Sequence, residues 1–96
     1  MLILITYDVN TETKEGRRRL RHVSKVCQNY GQRVQNSVFE CELDGGQLLT
    51  VKATLIQLIN SETDSLRFYN LGNDGHKKVE HVGAKPSFDV KEPLIV

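Results

Sequence analysis

The 96-residue sequence has few of the residue types from which disulfide frameworks and metal clusters are built. Its only cysteines, Cys27 and Cys41, form neither a CxxC motif nor a metal-ligand spacing. We therefore expect two reduced core thiols and no disulfide. The three histidines, His22, His76 and His81, also lack metal-ligand spacing and have no nearby nucleophile. Surface positions or hydrogen-bonded polar roles are expected for them.

Long hydrophobic runs are also absent. The first apolar stretch covers only Leu2 to Ile5 after Met1, without a basic leader, and no segment is long enough to span a bilayer. We therefore expect a cytoplasmic protein without a membrane partner. The sequence also has no Ser-His-Asp order, no glycine-rich phosphate loop and no heptad repeat. The absence of an aromatic RNA-binding signature argues against a plain RNA-recognition module.

Neither sign of charge dominates, because the net charge is +1. With 39% hydrophobic and 26% charged residues, the composition is typical of a globular protein, and we expect one domain over residues 1–96. Its core is small, so dimerisation would help to stabilise it. The positive charge is nevertheless concentrated between Lys14 and Lys25, which predicts a local basic patch.

A continuous apolar run flanked by turn residues predicts a buried first strand over Met1 to Val9, and the hydrophobic spacing after it predicts an amphipathic helix. Asn10, Thr11 and Thr13 offer N-cap oxygens for this helix, and Gly31 is expected to close it in a left-handed conformation. The predicted apolar face consists of Gly16, Leu20, Val23, Cys27 and Tyr30.

The rest of the chain predicts one strand over Val34 to Leu43, a second helix, and two further strands at Ser65 to Leu71 and Val79 to Val82. The second helix has its apolar face at Leu48, Val51, Leu55, Leu58 and Ile59. The order β-α-β-α-β-β suits an α+β sandwich with both helices on one face. It lacks the hairpin partner that the plainest ferredoxin-like order requires, so the strand pairing stays open.

Asp8 is the most informative single residue, because it ends an otherwise apolar strand. A carboxylate at the edge of a sheet is costly to bury without a partner, and a cation is the natural partner. The alternative is that Asp8 caps the following helix, beside Asn10 and Thr11. Tyr7 is expected on the opposite face of the strand, as a core or interface ring more often than a catalytic group.

Four segments of the sequence form a specific combination: Tyr7-Asp8-Val9, the basic run from Arg17 to Arg21, Gly31 to Glu40, and Glu80 to Pro86. Together they resemble the small CRISPR-associated protein two family, the nuclease-like subunit of the spacer-adaptation complex. The combination at this spacing is more specific than any one segment, and the resemblance covers essentially the whole chain.

This resemblance implies a ferredoxin-like protomer in a two-fold homodimer, with a C-terminal arm and strand at about residues 84–96 that joins the partner's sheet. It also implies a phosphodiesterase-type site at the dimer interface that uses Mg²⁺ or another divalent cation such as Mn²⁺. The implied partners are the CRISPR-associated integrase subunit and double-stranded DNA. Members of the family have been assigned cleavage of either single-stranded RNA or double-stranded DNA, and the motifs do not decide between them.

The resemblance assigns the catalytic and metal-binding role to Asp8, one copy from each protomer, because Mg²⁺ usually takes one or two carboxylates together with water and phosphate oxygens. Ser37 either satisfies a turn or holds a water or phosphate oxygen, and Phe39 favours core packing. Tyr7, Ser37 and Phe39 are supporting residues. The expected nucleic-acid-binding residues, with an ordinary solvated surface as the alternative for Arg18, are Lys14, Arg18, Arg19, Arg21, Lys25 and Arg33.

Three functions follow from these expectations. The first is a metal-dependent nuclease homodimer that binds DNA in the adaptation complex. The second is an architectural DNA-binding bridge in which Asp8 is vestigial, and the third is a toxin-like ribonuclease of similar fold. Metal-dependent hydrolysis that is lost on replacement of Asp8 separates the first from the second. Dependence of spacer insertion on this chain separates both from the third.

Overall fold

The computed structural model describes residues 1–72 and 78–84. Residues 73–77, which include His76, and nearly all of the predicted C-terminal arm therefore lie outside the described residues. The predicted elements are confirmed with one exception in the strands. The elements are β1 (Leu2–Asp8), α1 (Lys14–Tyr30), β2 (Gln32–Gln35), β3 (Val38–Glu42), α2 (Gly45–Leu58), β4 (Ser65–Asn70) and β5 (Lys78–Gly83).

The single strand predicted over Val34 to Leu43 is wrong, because the chain forms a hairpin there. Strands β2 and β3 pair antiparallel around a turn at Asn36 and Ser37, with an irregular register between Arg33 and Gln35. Phe39 and Cys41 are buried as predicted, and Leu43 is buried with them. The hairpin supplies the strand that the ferredoxin-like order required.

The strands form one antiparallel sheet in the order β2-β3-β1-β4-β5. The first four strands with their two helices have the β-α-β-β-α-β order of the ferredoxin-like fold, and β5 extends the sheet beside β4. Strand β1 is central, since it pairs with β3 on one side and β4 on the other. The predicted α+β sandwich is confirmed.

The core lies between the sheet and the two helices, which contact each other and cover the same face. Ile3, Ile5 and Tyr7 of β1 point into it, since alternate residues of a strand share one face. They meet Val23 of α1 and Leu55 of α2, both fully buried. Burying each of the larger aliphatic side chains contributes about 1.5–3 kcal/mol, so this face sets the register of β1.

Helix α1 begins as predicted, but it does not end as predicted. Thr13 is the N-cap, and its hydroxyl accepts a hydrogen bond from the Gly16 amide at 3.0 Å. Gly31 has φ −161° and ψ −164°, so the left-handed cap is wrong. A glycine is required there for space, because a Cβ would collide with the Cys41 sulfur and the Glu40 carbonyl oxygen.

Both thiols are buried and free, as expected. Burial raises the pKa of the Cys27 thiol to about 12 and also raises the pKa of Cys41. Neither sulfur is therefore a nucleophile near neutral pH. No helix among the described residues has the length and apolar character needed to cross a membrane.

Candidate functional site

Asp8 is the last residue of the central strand β1, and its side chain is exposed. Its backbone lies opposite Ser65 of β4. Tyr7 points to the other side of the strand, where it is 6% exposed and its ring lies 6.2 Å from that of Phe39. The predicted separation of the two side chains is confirmed, and both Tyr7 and Phe39 belong to the core.

The alternative in which Asp8 caps α1 is wrong, because Thr13 holds that position. The loop before the helix is held in place by Asn10 instead. The Asn10 side-chain oxygen accepts a hydrogen bond from the Glu12 amide at 2.9 Å. Within residues 1–72 and 78–84, the Asp8 carboxylate has no hydrogen-bond or ion-pair partner of its own. It is therefore available to a ligand.

One protomer does not supply a complete metal site from its described residues, which contain no group of three or more His, Cys, Asp or Glu side chains placed to hold an ion. Asp8 alone fits a hard cation, because it is an exposed oxygen ligand without an internal donor. A second carboxylate would have to come from another chain.

A fully buried carboxylate, Asp64, lies just behind the end of β1, and the sequence did not reveal it. It accepts hydrogen bonds from the Asn10 amide at 3.0 Å and the Asn60 amide at 3.0 Å, and from the Thr63 hydroxyl. Asp64 therefore joins the loop after Asp8 to the loop before β4.

Arg19 of α1 completes this arrangement, since its Nε lies 2.8 Å from Asp64 Oδ2. Burial of Asp64 acts to raise its pKa, but the hydrogen bonds from Arg19, the Asn60 and Asn10 amides and Thr63 outweigh it. The pKa of Asp64 consequently lies below its usual range. Glycine is needed at Gly16, where a Cβ would collide with the Asn10 carbonyl oxygen, so α1 packs directly on this loop.

The predicted cationic stripe of α1 is on the surface. The exposed members are Lys14, Arg18, Arg21 and Lys25. Arg19 differs from them, because its side chain is only 22% exposed and is paired with Asp64. We therefore give Arg19 a role in holding the loop after Asp8 and keep the exposed residues as the candidate contacts to phosphate.

Arg33, the remaining predicted cation, lies across from α1 on β2. Its guanidinium donates a hydrogen bond to the Ser24 hydroxyl and lies 5.1 Å from the centre of the Phe39 ring. Ser37 belongs to the hairpin turn, and its carbonyl oxygen accepts a hydrogen bond from the Tyr7 amide at 3.1 Å. The hairpin turn is thus fixed beside the end of β1, on the helix side of the sheet.

The histidines have the roles expected of them where the structure describes them. His22 is exposed. His81 Nε2 lies 2.6 Å from the Ala84 carbonyl oxygen, which can only accept, so that nitrogen donates. Its Nδ1 accepts a hydrogen bond from Arg67 Nε at 3.3 Å, on the sheet face opposite the helices.

These features define a ferredoxin-like α+β protein with an exposed carboxylate at the end of its central strand and a basic helix on the other face of the sheet. The family model described as CRISPR associated protein Cas2 matches residues 1–79. The chain belongs to this family of CRISPR-associated nucleases.

Individual relatives support the same conclusion along the length of the chain. The CRISPR-associated endonuclease Cas2 of Halalkalibacterium halodurans is 62% identical over 95 residues, which cover 99% of both chains. A CRISPR-associated endoribonuclease Cas2 of Rhodospirillum rubrum is 56% identical over 95 residues, covering 99% of this chain and 100% of the relative. The crystal structure of Streptococcus pyogenes Cas2 at pH 6.5 has 58% identity and a TM-score of 0.71, over 77% of this chain and 89% of that one.

Proposed function

We propose that this chain is a metal-dependent endonuclease that acts as a DNA-binding homodimer, with the CRISPR-associated integrase subunit, in spacer acquisition. The observation that carries the proposal is the exposed Asp8 carboxylate at the end of the central strand. Asp8 forms no contact that stabilises the described part of the fold, so its charge has no structural purpose there. Relatives named endonuclease and endoribonuclease support phosphodiester hydrolysis.

Two copies of Asp8, one from each protomer, would hold a divalent cation such as Mg²⁺ or Mn²⁺. When bound, the ion supplies Lewis-acid stabilisation of the negative charge on the phosphate. The protein fixes the position of Asp8. Asp64 accepts hydrogen bonds from the Asn10 amide and from Arg19, and these bonds hold the loop that follows Asp8. Such a fixed first ligand lowers the reorganisation needed when substrate binds.

The sheet face opposite the helices supports a homodimer. Val79 of β5 is 51% exposed on this face, whereas Leu4 and Tyr69 in its centre are already buried within the chain. Asp8 lies on the same face, because it is four residues from Leu4 along β1 and alternate residues of a strand share one face. A two-fold axis through this face would bring the two Asp8 side chains toward each other.

The exposed cations of α1 support binding of a polyanion. Their charge is not cancelled by ion pairs, because the ion pairs formed by the described residues involve Met1, Arg19 and Lys52 instead. Phosphate contacts of this kind are independent of base sequence. They would suit capture of DNA fragments of differing sequence.

Cleavage by the purified protein with and without Mg²⁺ tests the proposed activity, with labelled double-stranded DNA and single-stranded RNA offered in parallel. Asp8→Asn should abolish the Mg²⁺-dependent cleavage without unfolding the protein, because the exposed side chain keeps its shape and loses its charge. Glu62→Gln is the matched control, since it removes an exposed carboxylate in the loop before β4. Undiminished cleavage by Asp8→Asn would refute the assignment.

Sedimentation tests the dimer. At micromolar concentration the protein should have twice the 10.9 kDa mass of the chain. Val79→Arg should dissociate it, because a charge is costly to bury in an apolar seam. Val34→Arg is the control, since Val34 is 49% exposed and lies on the other edge strand. A wild-type monomer, or equal effects of the two variants, would contradict this interface.

One observation favours a second function, the architectural DNA-binding bridge. The described part of each chain offers Asp8 without a cluster of further metal ligands. A spacer-insertion assay with Asp8→Asn separates the functions: full insertion without hydrolysis supports the bridge, and loss of both supports the endonuclease. Insertion that does not depend on this chain at all, together with RNA cleavage, would indicate the toxin-like ribonuclease.

A further inference from the structure

A groove separates α1 from the β2–β3 hairpin, on the helix side of the sheet. Its volume is about 580 Å³, within the range of sites that hold small organic ligands. Tyr7, at the end of β1, contributes to its wall together with residues of both elements. The lining includes Arg21, Ser24, Lys25, Arg33 and Ser37.

The lining of the groove has one sign of charge. Arg21 and Lys25 approach from the helix and Arg33 from the hairpin, and no described residue that lines the groove is acidic. Three cations around one concavity focus the potential more strongly than the same charges on a flat surface. The hydroxyls of Ser24 and Ser37 add hydrogen-bonding groups, so the site suits a compact, multiply hydrogen-bonded anion.

Arg33 is already held in position before any ligand binds. The Ser24 hydroxyl accepts one of its hydrogen bonds, and the Phe39 ring lies against the guanidinium. Since a guanidinium has five N–H donors, most of them remain for a ligand. A pre-positioned arginine loses little conformational entropy on binding phosphate, which its planar fork fits well.

We infer that this groove is a nucleotide-binding site in which Arg21, Lys25 and Arg33 hold a phosphate group. The inference rests on the proposed nucleic-acid function and assigns it a second contact point, distinct from Asp8. Tyr7 lines the groove and Asp8 follows it on the opposite face of β1, so the groove and the carboxylate flank the same strand end. A strand anchored by one nucleotide in the groove continues over this end toward Asp8.

Binding of adenosine 5′-monophosphate, measured by NMR titration without divalent metal, tests the inference. Adenosine, which lacks the phosphate, should bind at least about ten-fold more weakly, a difference of about 1.4 kcal/mol. Arg33→Gln and Lys25→Gln should each weaken binding of the monophosphate by about ten-fold or more. Lys25 is exposed and forms no hydrogen bond or ion pair with the described residues, so its variant remains informative if Arg33→Gln perturbs the hairpin.

Arg17→Gln is the matched control, because Arg17 is an exposed cation of the same helix that lies outside the groove. It should leave binding of the monophosphate unchanged. Equal loss with Arg17→Gln, equal binding of adenosine, or equal binding of a tetraglutamate peptide would overturn the inference. Each result would mean that the groove does not recognise a nucleotide phosphate.

A short single-stranded oligonucleotide distinguishes the two sources of this ligand. Tighter binding of the oligonucleotide than of the monophosphate, lost in Lys25→Gln, identifies a nucleic acid strand as the ligand. Equal affinities identify a free nucleotide, and either result supports the site. The same titration on Asp8→Asn should be unchanged, so a failure of the groove is distinguishable from a failure of the proposed hydrolysis.

Discussion

The guanidinium of Arg19 lies 2.8 Å, Nε to Oδ2, from the fully buried carboxylate of Asp64, 45 positions away in the chain. This pair joins helix α1 to the loop before β4. Because Asp64 also accepts a hydrogen bond from the Asn10 amide, the pair fixes the backbone two residues beyond Asp8. The candidate catalytic carboxylate, Asp8, is thus exposed, whereas the carboxylate of Asp64 behind it stabilises the fold.

Replacing Asp64 by Asn should destabilise the protein by about 2–4 kcal/mol, because the Arg19 charge and two backbone amides lose a charged acceptor. This expected loss of stability is smaller than the largest losses seen for fully buried ion pairs, because the Arg19 side chain is 22% exposed. Urea unfolding followed by circular dichroism measures it. Glu62→Gln, a change at an exposed acid of the same loop, should stay within about 0.5 kcal/mol. Similar effects of both changes would show that the pair is energetically unimportant.

The depressed pKa of Asp64 predicts a specific loss of stability in acid. A carboxyl whose folded pKa lies below its unfolded value of about 4 stabilises the fold fully above that pH. That contribution is lost as the pH falls through the folded pKa. The difference in unfolding free energy between wild type and Asp64→Asn should therefore stay constant from pH 7 to about pH 4 and narrow as the pH falls further towards pH 3. A constant difference across this range would contradict the assignment.

Gly31 should not tolerate a methyl group, although its φ of −161° is open to any residue. In Gly31→Ala the new Cβ would meet the Cys41 sulfur and the Glu40 carbonyl oxygen, and the cost of such overpacking is about 1–3 kcal/mol. Gly45→Ala is the control, since a Cβ there meets nothing within 4 Å. It should be neutral or stabilise α2 by about 0.4–1 kcal/mol. Thermal unfolding of the two variants compares them directly.

Much of the fold was predictable because β1 begins with an unbroken apolar run and α1 carries a clear helical hydrophobic period. The hairpin was not predicted. Its turn at Asn36 and Ser37 lacks glycine and proline, and apolar alternation continues through Phe39 to Leu43, so the two strands resemble one. The pairing of β3 with β1 decides the fold there, and it depends on residues distant in the sequence.

The candidate site likewise contains one carboxylate that the sequence predicted and one that it did not. Asp8 was predictable, because a charge at the end of an apolar strand is a local signal. Asp64 was not, since it follows a polar loop and nothing nearby distinguishes it from a surface acid. Its burial depends on Arg19 and Asn10, which come to it only in the folded chain. The contact with Asp64 also distinguishes Arg19 from the exposed basic residues of α1, although the sequence alone does not distinguish them.

The exposed stripe of α1 should bind duplex DNA through phosphates. Arg18 and Arg21 are both exposed, and replacing them together by Gln removes two phosphate contacts without touching the Asp64 pair. The slope of log affinity against log salt should then fall by about 1.8, at 0.9 for each contact, and affinity should drop most at low salt. The loss should be equal for unrelated DNA sequences, because phosphates carry no base information. Titrations at several salt concentrations measure the slopes of both proteins. Identical slopes would mean that the stripe is an ordinary solvated face and that DNA lies against another surface.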